Sequence, residues 1–448
     1  MRTIKIENFL NSELCDYASY DNLRKIASVV DGFKNASRKV AYTLQEKKIK
    51  ENIKVSQLAS KIAEFSDYLH GDSSLPGVIV SLARRFVGTN NIPLMKAEGN
   101  FGSRFTQDPA APRYIFSSGE DIFFKLFNPN DREILRNQTF EGEKIEPMFY
   151  VPSLPLIMIN GSEGLSTGFA QKILPRDPEK IKKLLLKKLS GKKLSDNDYN
   201  TALVPFYKGY KGTIKHGDKP NQWIIEGIIE KKDSTHLLIT EIPIGYELKQ
   251  YCKILDKLED DKFILSYKDL SDKDNYKFEI RMMKKDIEKF NTSSLLDKFK
   301  LSKTISENYT CINENNRIVI FNSSREIFDY YYNIKIQYIQ KRKDFLIKSI
   351  SDDIRLLVSK YTFVKGIVDG NVVVQKRKKA DIVKDLEKID RIIKFEGNYD
   401  YLLRMPVYSL TDEKLTELLN SIKERKAELD KIVSSKLEEM WTDDVKAL

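Results

Sequence analysis

Only three cysteines occur in the 448 residues, Cys15, Cys252 and Cys311, and none lies near another. No disulfide framework or paired-cysteine zinc site follows, and a reducing cytoplasm is the expected setting. Histidine is as scarce, at His70, His216 and His236, so no histidine-rich metal site is expected. No apolar run approaches the roughly 20 residues that a membrane-spanning helix needs, and no membrane association is expected. The N-terminus is charged at Arg2 and Lys5 and lacks the apolar core of a signal peptide. No glycine-rich loop carries the lysine and spacing of a P-loop, and no other ATP-binding signature is present.

What is present is basic. The chain carries 76 Lys+Arg against 65 Asp+Glu, a net charge of +11 and a pI near 9.1. That balance suits an anionic partner. The charge is spread along the chain, which excludes a disordered basic arm. Aromatics at 10% argue for a folded protein, and the length gives more than one domain with ample core.

Hydrophobic spacing divides the chain. Residues 3–6 read as an edge strand. From 31 to about 90 three helices are predicted. The first covers about 36–47. The second lies behind Ser56 as N-cap, with Leu58, Ile62, Phe65 and Leu69 on one face. The third covers about 74–87, with Pro76 near its start, Val78, Ile79, Leu82 and Phe86 inward, and Arg84 and Arg85 turned out. Helix, short break and helix with a basic face suits helix-turn-helix docking on DNA; a helical bundle with solvated arginines fits equally well. The run LIMINGSEGLSTG, 156–168, reads as an apolar strand and then a loop of small residues. In it Leu165 is either a buried anchor or a wedge between base steps.

Asp177 caps a helix over 177–190, and 201–281 is strand-like at 223–225, 236–240 and 278–280. Ser323 and Glu326 form a capping box for a long helix with Ile327, Tyr331, Ile334, Tyr338 and Phe345 on a seam continuing through Tyr361. Thr411 opens a second helix carrying Leu415, Leu418, Ile422, Leu429 and Ile432. The pair reads as an antiparallel coiled coil around a small tip at 362–410, or as an ordinary bundle. His70-Gly71-Asp72-Ser73 is superficially like the Glu-Gly-Asp-Ser motif of metal-binding toprim domains. A histidine replaces its glutamate, and Asp196 and Asp198 sit in a polar loop, so no toprim domain is expected here.

The chemistry concentrates at EGNFGS, 98–103, followed by AAPRYIF, 110–116. The glycines mark a loop that approaches another backbone closely. The run then delivers Arg113 and Tyr114 side by side. A phenol, with a pKa of about 10, becomes a nucleophile when a cation stabilises the phenolate and the charge on a phosphoryl group.

Taken in order, these two motifs, DGFK leading to RKV at 31–40, LIMINGSEGLSTG, YIQKRK at 338–343 and MPVYSLT at 405–411 resemble the breakage-reunion region of type II DNA topoisomerases. The resemblance runs from about Thr3 to about Glu428. The last two blocks look more like the eukaryotic branch than bacterial gyrase, and length and boundaries look most like the medium subunit of T-even-type bacteriophage enzymes. It implies an α+β multidomain chain: an N-terminal segment (1–30), a winged-helix DNA-cleavage domain (31–175), a tower domain (176–322), and an antiparallel coiled-coil arm with a globular dimerisation tip (323–448). It implies that Tyr114 forms a 5′-phosphotyrosyl link, with Arg113, Arg38 and His70 or Lys34 around the phosphate. Lys34, Lys39, Arg84, Arg85 and Leu165 would contact double-stranded DNA, Leu165 standing where the family has an intercalating isoleucine. Asn35 replaces the family's usual proline, which touches only local loop geometry. No metal is expected on this chain. Mg2+ and ATP would bind mainly a large partner subunit, carrying the ATPase and toprim parts, in a heterotetramer built on a homodimer of this chain. A gyrase-type DNA-wrapping domain is not expected. The alternatives are a non-catalytic DNA-binding scaffold and a strand transferase that works without ATP.

Overall fold

A computed structural model describes residues 5–68, 71, 74–273 and 275–448. The chain divides into two compact units. The first holds the described residues up to Lys335 together with Trp441–Leu448, and the second is Ile336–Met440.

The first unit opens with helices Ile6–Asn11 and Glu13–Lys25. Lys5 precedes the first helix as its N-cap and Ile6 begins it, so the edge strand expected over 3–6 is not formed at its described end. Three further helices follow, Asn35–Glu46, Val55–Phe65 and Ser74–Ala83. Each buries one stripe: Val40, Ala41 and Leu44; Val55, Leu58, Ala59 and Ile62; Leu75, Ile79, Val80 and Ala83. Ser56 does not cap the middle helix. Its first free N–H groups are taken by another segment: Val55 N–H donates to the Ile115 carbonyl (2.9 Å) and Ser56 N–H to that of Pro112 (3.1 Å). The third helix stops at Ala83, short of the expected 87, so Arg84 and Arg85 follow the helix instead of forming its outer face.

Strand Ile53–Lys54 pairs antiparallel with Phe116–Ser117 beside these helices. The LIMINGSEGLSTG run inverts its expected pattern. Leu156–Ile159 is a buried helical turn, and the small residues Ser162–Leu165 form a strand paired with Ala170–Ile173. Four apolar side chains buried on every side suit one turn of helix inside a core, where a strand would leave ladder groups to pair.

Helix Pro178–Leu189 is capped by Asp177, as the sequence indicates. Asp196 and Asp198 head helix Asp196–Ala202, not a loop, with Ser195 and Asp198 as a reciprocal capping box. The strand-like region forms a three-stranded and a four-stranded antiparallel sheet, from Thr213–His216 to Ser302–Ser306. Leu237, Ile239, Phe278 and Ile280 face the core of the larger sheet, packed against Tyr251 and Leu255 of helix Leu248–Asp260. Helix Ser324–Val368 runs for 45 residues. Near its start Tyr331 and Tyr332 lie 6.0 and 5.1 Å from the Trp441 ring. Trp441 is fully buried and donates its indole N–H to the Ser153 carbonyl at 3.0 Å.

In the second unit the later part of that helix lies antiparallel to helix Asp412–Ser434. Lys343 Nζ donates to the carbonyls of Val433 (2.9 Å) and Ser435 (2.7 Å). Beyond the pair, Phe363, Val364, Leu386, Tyr399 and Leu402 form a separate core with Leu418.

Candidate active site

The site rests on the loop from Glu98 to Arg113. Gly99 and Gly102 adopt φ of +99° and +89°, and a Cβ on Gly102 would stand 2.5 Å from the Gln107 carbonyl oxygen, so only glycine fits. Asn100 closes the turn, its Oδ1 accepting from Gly102 N–H (2.9 Å) and its carbonyl from Ala110 N–H (2.9 Å). Arg104 is buried and donates to Glu241 and to the Ile242 carbonyl (3.0 Å). Tyr276 Oη donates to the Arg104 carbonyl at 2.8 Å. The loop is therefore bolted to the sheet region.

Past Pro112 a turn closes through Tyr114 N–H to the Ala111 carbonyl (2.9 Å). The Pro112 and Ile115 carbonyls, one on each side of this residue pair, complete the N-terminus of helix Val55–Phe65. Ile115 is buried, and Phe116 exchanges hydrogen bonds with Glu98. Between these anchors Tyr114 is 65% exposed. No group among the described residues hydrogen-bonds its hydroxyl. The Arg113 guanidinium sits 4.8 Å from its ring centroid, within cation–π range. A fixed backbone under a reachable hydroxyl, with a cation alongside, is the arrangement for attack on an anionic ester.

Several residues expected to join it lie elsewhere. Arg38 is not available to a phosphate: it is buried, with Nε 2.8 Å and Nη2 3.2 Å from the two Asp31 oxygens. Burial acts to lower its pKa, but Asp31, helped by Glu146 and Tyr150, holds it above the usual value. Lys39 is likewise buried on Glu146 (2.9 Å) and the Ser66 carbonyl, so its ammonium is not presented to an outside ligand. Arg84 turns inward, donating to the Phe101 (3.2 Å) and Gln107 carbonyls of the tyrosine loop. Burial lowers its pKa against the opposing pull of Asp108. Arg85 is exposed and pairs with Glu120 at 2.8 Å. His70 lies outside the described residues.

Lys34 and Arg84 share a groove of about 610 Å³ with Ser81, Ser162, Glu163 and Lys172. Lys34 Nζ donates to the Glu163 carbonyl at 2.6 Å. Burial lowers its pKa, with Glu163 acting the other way. Leu165, two residues on from Glu163, is 78% exposed, which removes the buried-anchor alternative. Among the described residues no group of three or more His, Cys, Asp or Glu side chains could hold a metal.

Over residues 24–446 the chain matches the DNA gyrase/topoisomerase IV A-subunit family. It belongs to that family. It is 34% identical to the mitochondrial DNA topoisomerase 2 of Dictyostelium discoideum, over 100% of this chain and 35% of that protein. Against DNA topoisomerase 2 of Saccharomyces cerevisiae the identity is 30%, over 100% and 35%. The chain thus spans about a third of the curated relatives it matches. The Plasmodium falciparum topoisomerase II DNA-binding, cleavage and re-ligation domain superposes with a TM-score of 0.86 at 33% identity, covering 98% of this chain and 63% of that one.

In this member of the gyrase/topoisomerase IV family, the motifs EGNFGS and AAPRYIF are visible in sequence, but their supports are not. Glu241 is 137 residues from Arg104. Glu307, buried and bidentate to Arg176 at 2.6 and 2.7 Å, accepts also from Trp223, Tyr309 and the Leu174 N–H. The available signal was charged residues inside apolar runs, a pattern that marks burial without naming the partner.

Proposed function

We propose that this chain cleaves and rejoins double-stranded DNA as the breakage-reunion part of an ATP-dependent type II topoisomerase. The observation that carries the reading is Tyr114, exposed beside Arg113 on a backbone anchored at both neighbours. Tyr114 Oη attacks a backbone phosphorus and gives up its proton to water. The P–O3′ bond breaks, and the 3′ oxygen takes up a proton as a free hydroxyl. The 5′-phosphate stays on the tyrosine. Two copies cut both strands, a second duplex passes, and the 3′ hydroxyl reverses the transfer. The phosphodiester energy is kept in the tyrosyl ester, so resealing needs no new activation. Arg113 holds negative charge at the phosphoryl group. Lys34 and Arg85 contact the backbone of the duplex, and Leu165 wedges a base step.

The helices and short sheet of 31–117 act as a winged-helix platform, the sheets of 201–306 as a tower, and helices 324–368 and 412–434 as a coiled-coil arm. The arm's tip, with Tyr408, Val373 and Phe395 exposed, forms the contact of a homodimer. ATP turnover and Mg2+ are assigned mainly to a large partner subunit in a heterotetramer of the T-even phage type. Three unpaired cysteines suit the host cytoplasm.

Tyr114→Phe tests the reading, because only the hydroxyl is removed. With DNA and the large partner present, denaturant trapping should yield a covalent adduct on the parent chain and none on the variant, while duplex binding stays within about twofold. An adduct on the variant assigns the nucleophile elsewhere. No adduct on either chain favours a scaffold.

A further inference from the structure

The Glu13–Lys25 helix buries only two of its 13 residues, and both are polar: Asp21 and Asn22. Its Tyr17 and Tyr20 are exposed. Burying polar side chains is costly unless they are hydrogen-bonded, and both of these are bonded to one turn. Asp21 Oδ2 accepts from the backbone N–H of Thr167 (3.0 Å) and from its hydroxyl (3.0 Å). Asn22 Oδ1 accepts from the Ser166 hydroxyl. Lys25, one turn on, pairs with Asp21 at 2.8 Å. On the other side of Leu165, Gly164 lies flush on the helix end, where a Cβ would stand 2.3 Å from the Lys25 carbonyl oxygen.

Residues 164, 166 and 167 are thus all fixed to one helix, and Leu165 between them is the exposed one. Strand alternation turns Gly164 in and Leu165 out. A side chain that unstacks bases must resist being pushed back, because the cost of unstacking is a few kcal/mol.

We propose that Asp21 and Asn22 are positioning residues for DNA deformation: they clamp the Ser166–Thr167 turn so that Leu165 stays erect against the duplex. The proposal rests on the assignment of Leu165 as a wedge. It predicts that loss of the clamp and loss of the wedge are the same defect.

The test uses the full chain and a duplex carrying end-to-end FRET dyes, with 2-aminopurine at the bend centre. Asp21→Ala should lose the FRET change and the 2-aminopurine rise as fully as Leu165→Ala does, by about fivefold or more. Duplex affinity measured on a short unbent site, and the melting temperature, should stay close to the parent's. Combining Asp21→Ala with Leu165→Ala should add nothing further. Asp21→Asn keeps an acceptor for Thr167 and should restore most of the bend. Thr167→Val removes the hydroxyl half of the clamp and serves if Asp21→Ala does not fold. If Leu165→Ala loses the bend while Asp21→Ala and Thr167→Val keep it, the clamp is overturned and the wedge stands. Losses that multiply in the double variant also overturn it, since Asp21 then acts by another route. If Leu165→Ala bends DNA normally, wedge and clamp fall together.

Discussion

Lys34 and Arg38 stand four residues apart around the first turn of helix Asn35–Glu46 and meet opposite fates. Arg38 points into the protein, where Asp31 also accepts from Phe33 N–H (2.9 Å) and Tyr150 N–H (3.0 Å). Arg38→Ala leaves that carboxylate buried without its cation, and should cost about 3–5 kcal/mol in a urea titration. Lys34 stays on the groove wall. Lys34→Ala should leave stability nearly unchanged and reduce the slope of log affinity for DNA against log salt by about 1. An unchanged slope removes Lys34 from the phosphate contacts. Cys311 gives an independent check on the same interior: burial pushes its thiol up to about 12, with the Gln171 hydrogen bond opposing. Because the folded state holds the proton, thiolate is negligible at pH 8. A thiol reagent should modify exposed Cys15 in the native protein and reach Cys311 only on unfolding. Early modification of Cys311 contradicts the buried placement.

At the scale of elements, backbone groups of one segment complete another. The Val55–Phe65 helix has no side-chain N-cap, because the carbonyls beside Tyr114 do that work. The 162–173 hairpin is held at Gly164 by contact with Lys25. Gly164→Ala should therefore lift the hairpin from its helix, lowering DNA bending and shifting the melting temperature down. Leu165→Ala should lower bending with stability changed by no more than about 0.5 kcal/mol, as for other exposed sites. A buried leucine would instead cost about 2–5 kcal/mol. A melting temperature that collapses in Leu165→Ala while bending survives would overturn the wedge.

At the scale of the molecule, the second unit has its own core, and Val373, Phe395 and Tyr408 are exposed in the segment between its two long helices. If the tip closes a homodimer, Tyr408→Lys with Phe395→Lys should shift sedimentation of the full chain toward monomer, while circular dichroism of the helices is retained. An unchanged dimer places the main contact elsewhere. The basic balance of the chain acts at this scale too. If the chain binds DNA as proposed, this balance should raise its affinity for any duplex and make that affinity fall with salt.

Some of this was determined by the sequence alone. Helix periodicity located six helices, most of their ends to within a few residues, because side chains three and four apart share a face whatever they pack against. Glycines that need φ > 0 marked the tyrosine loop, and the order of motifs carried the family. Where local pattern was ambiguous, tertiary structure decided. The apolar run at Leu156 became helix and the small residues after it strand, since short runs are indistinguishable by period. Arg38 and Lys39 look alike in sequence to Lys34, Arg84 and Arg85, yet those two are buried while the other three keep access to the groove or to solvent. A cation is buried only where a distant carboxylate or carbonyl awaits it, and that partner is brought near by the fold, not by spacing along the chain. The exposure of Tyr114 and Leu165 is of the same kind. Each is held out by neighbours whose own backbone is fixed to segments far away in sequence.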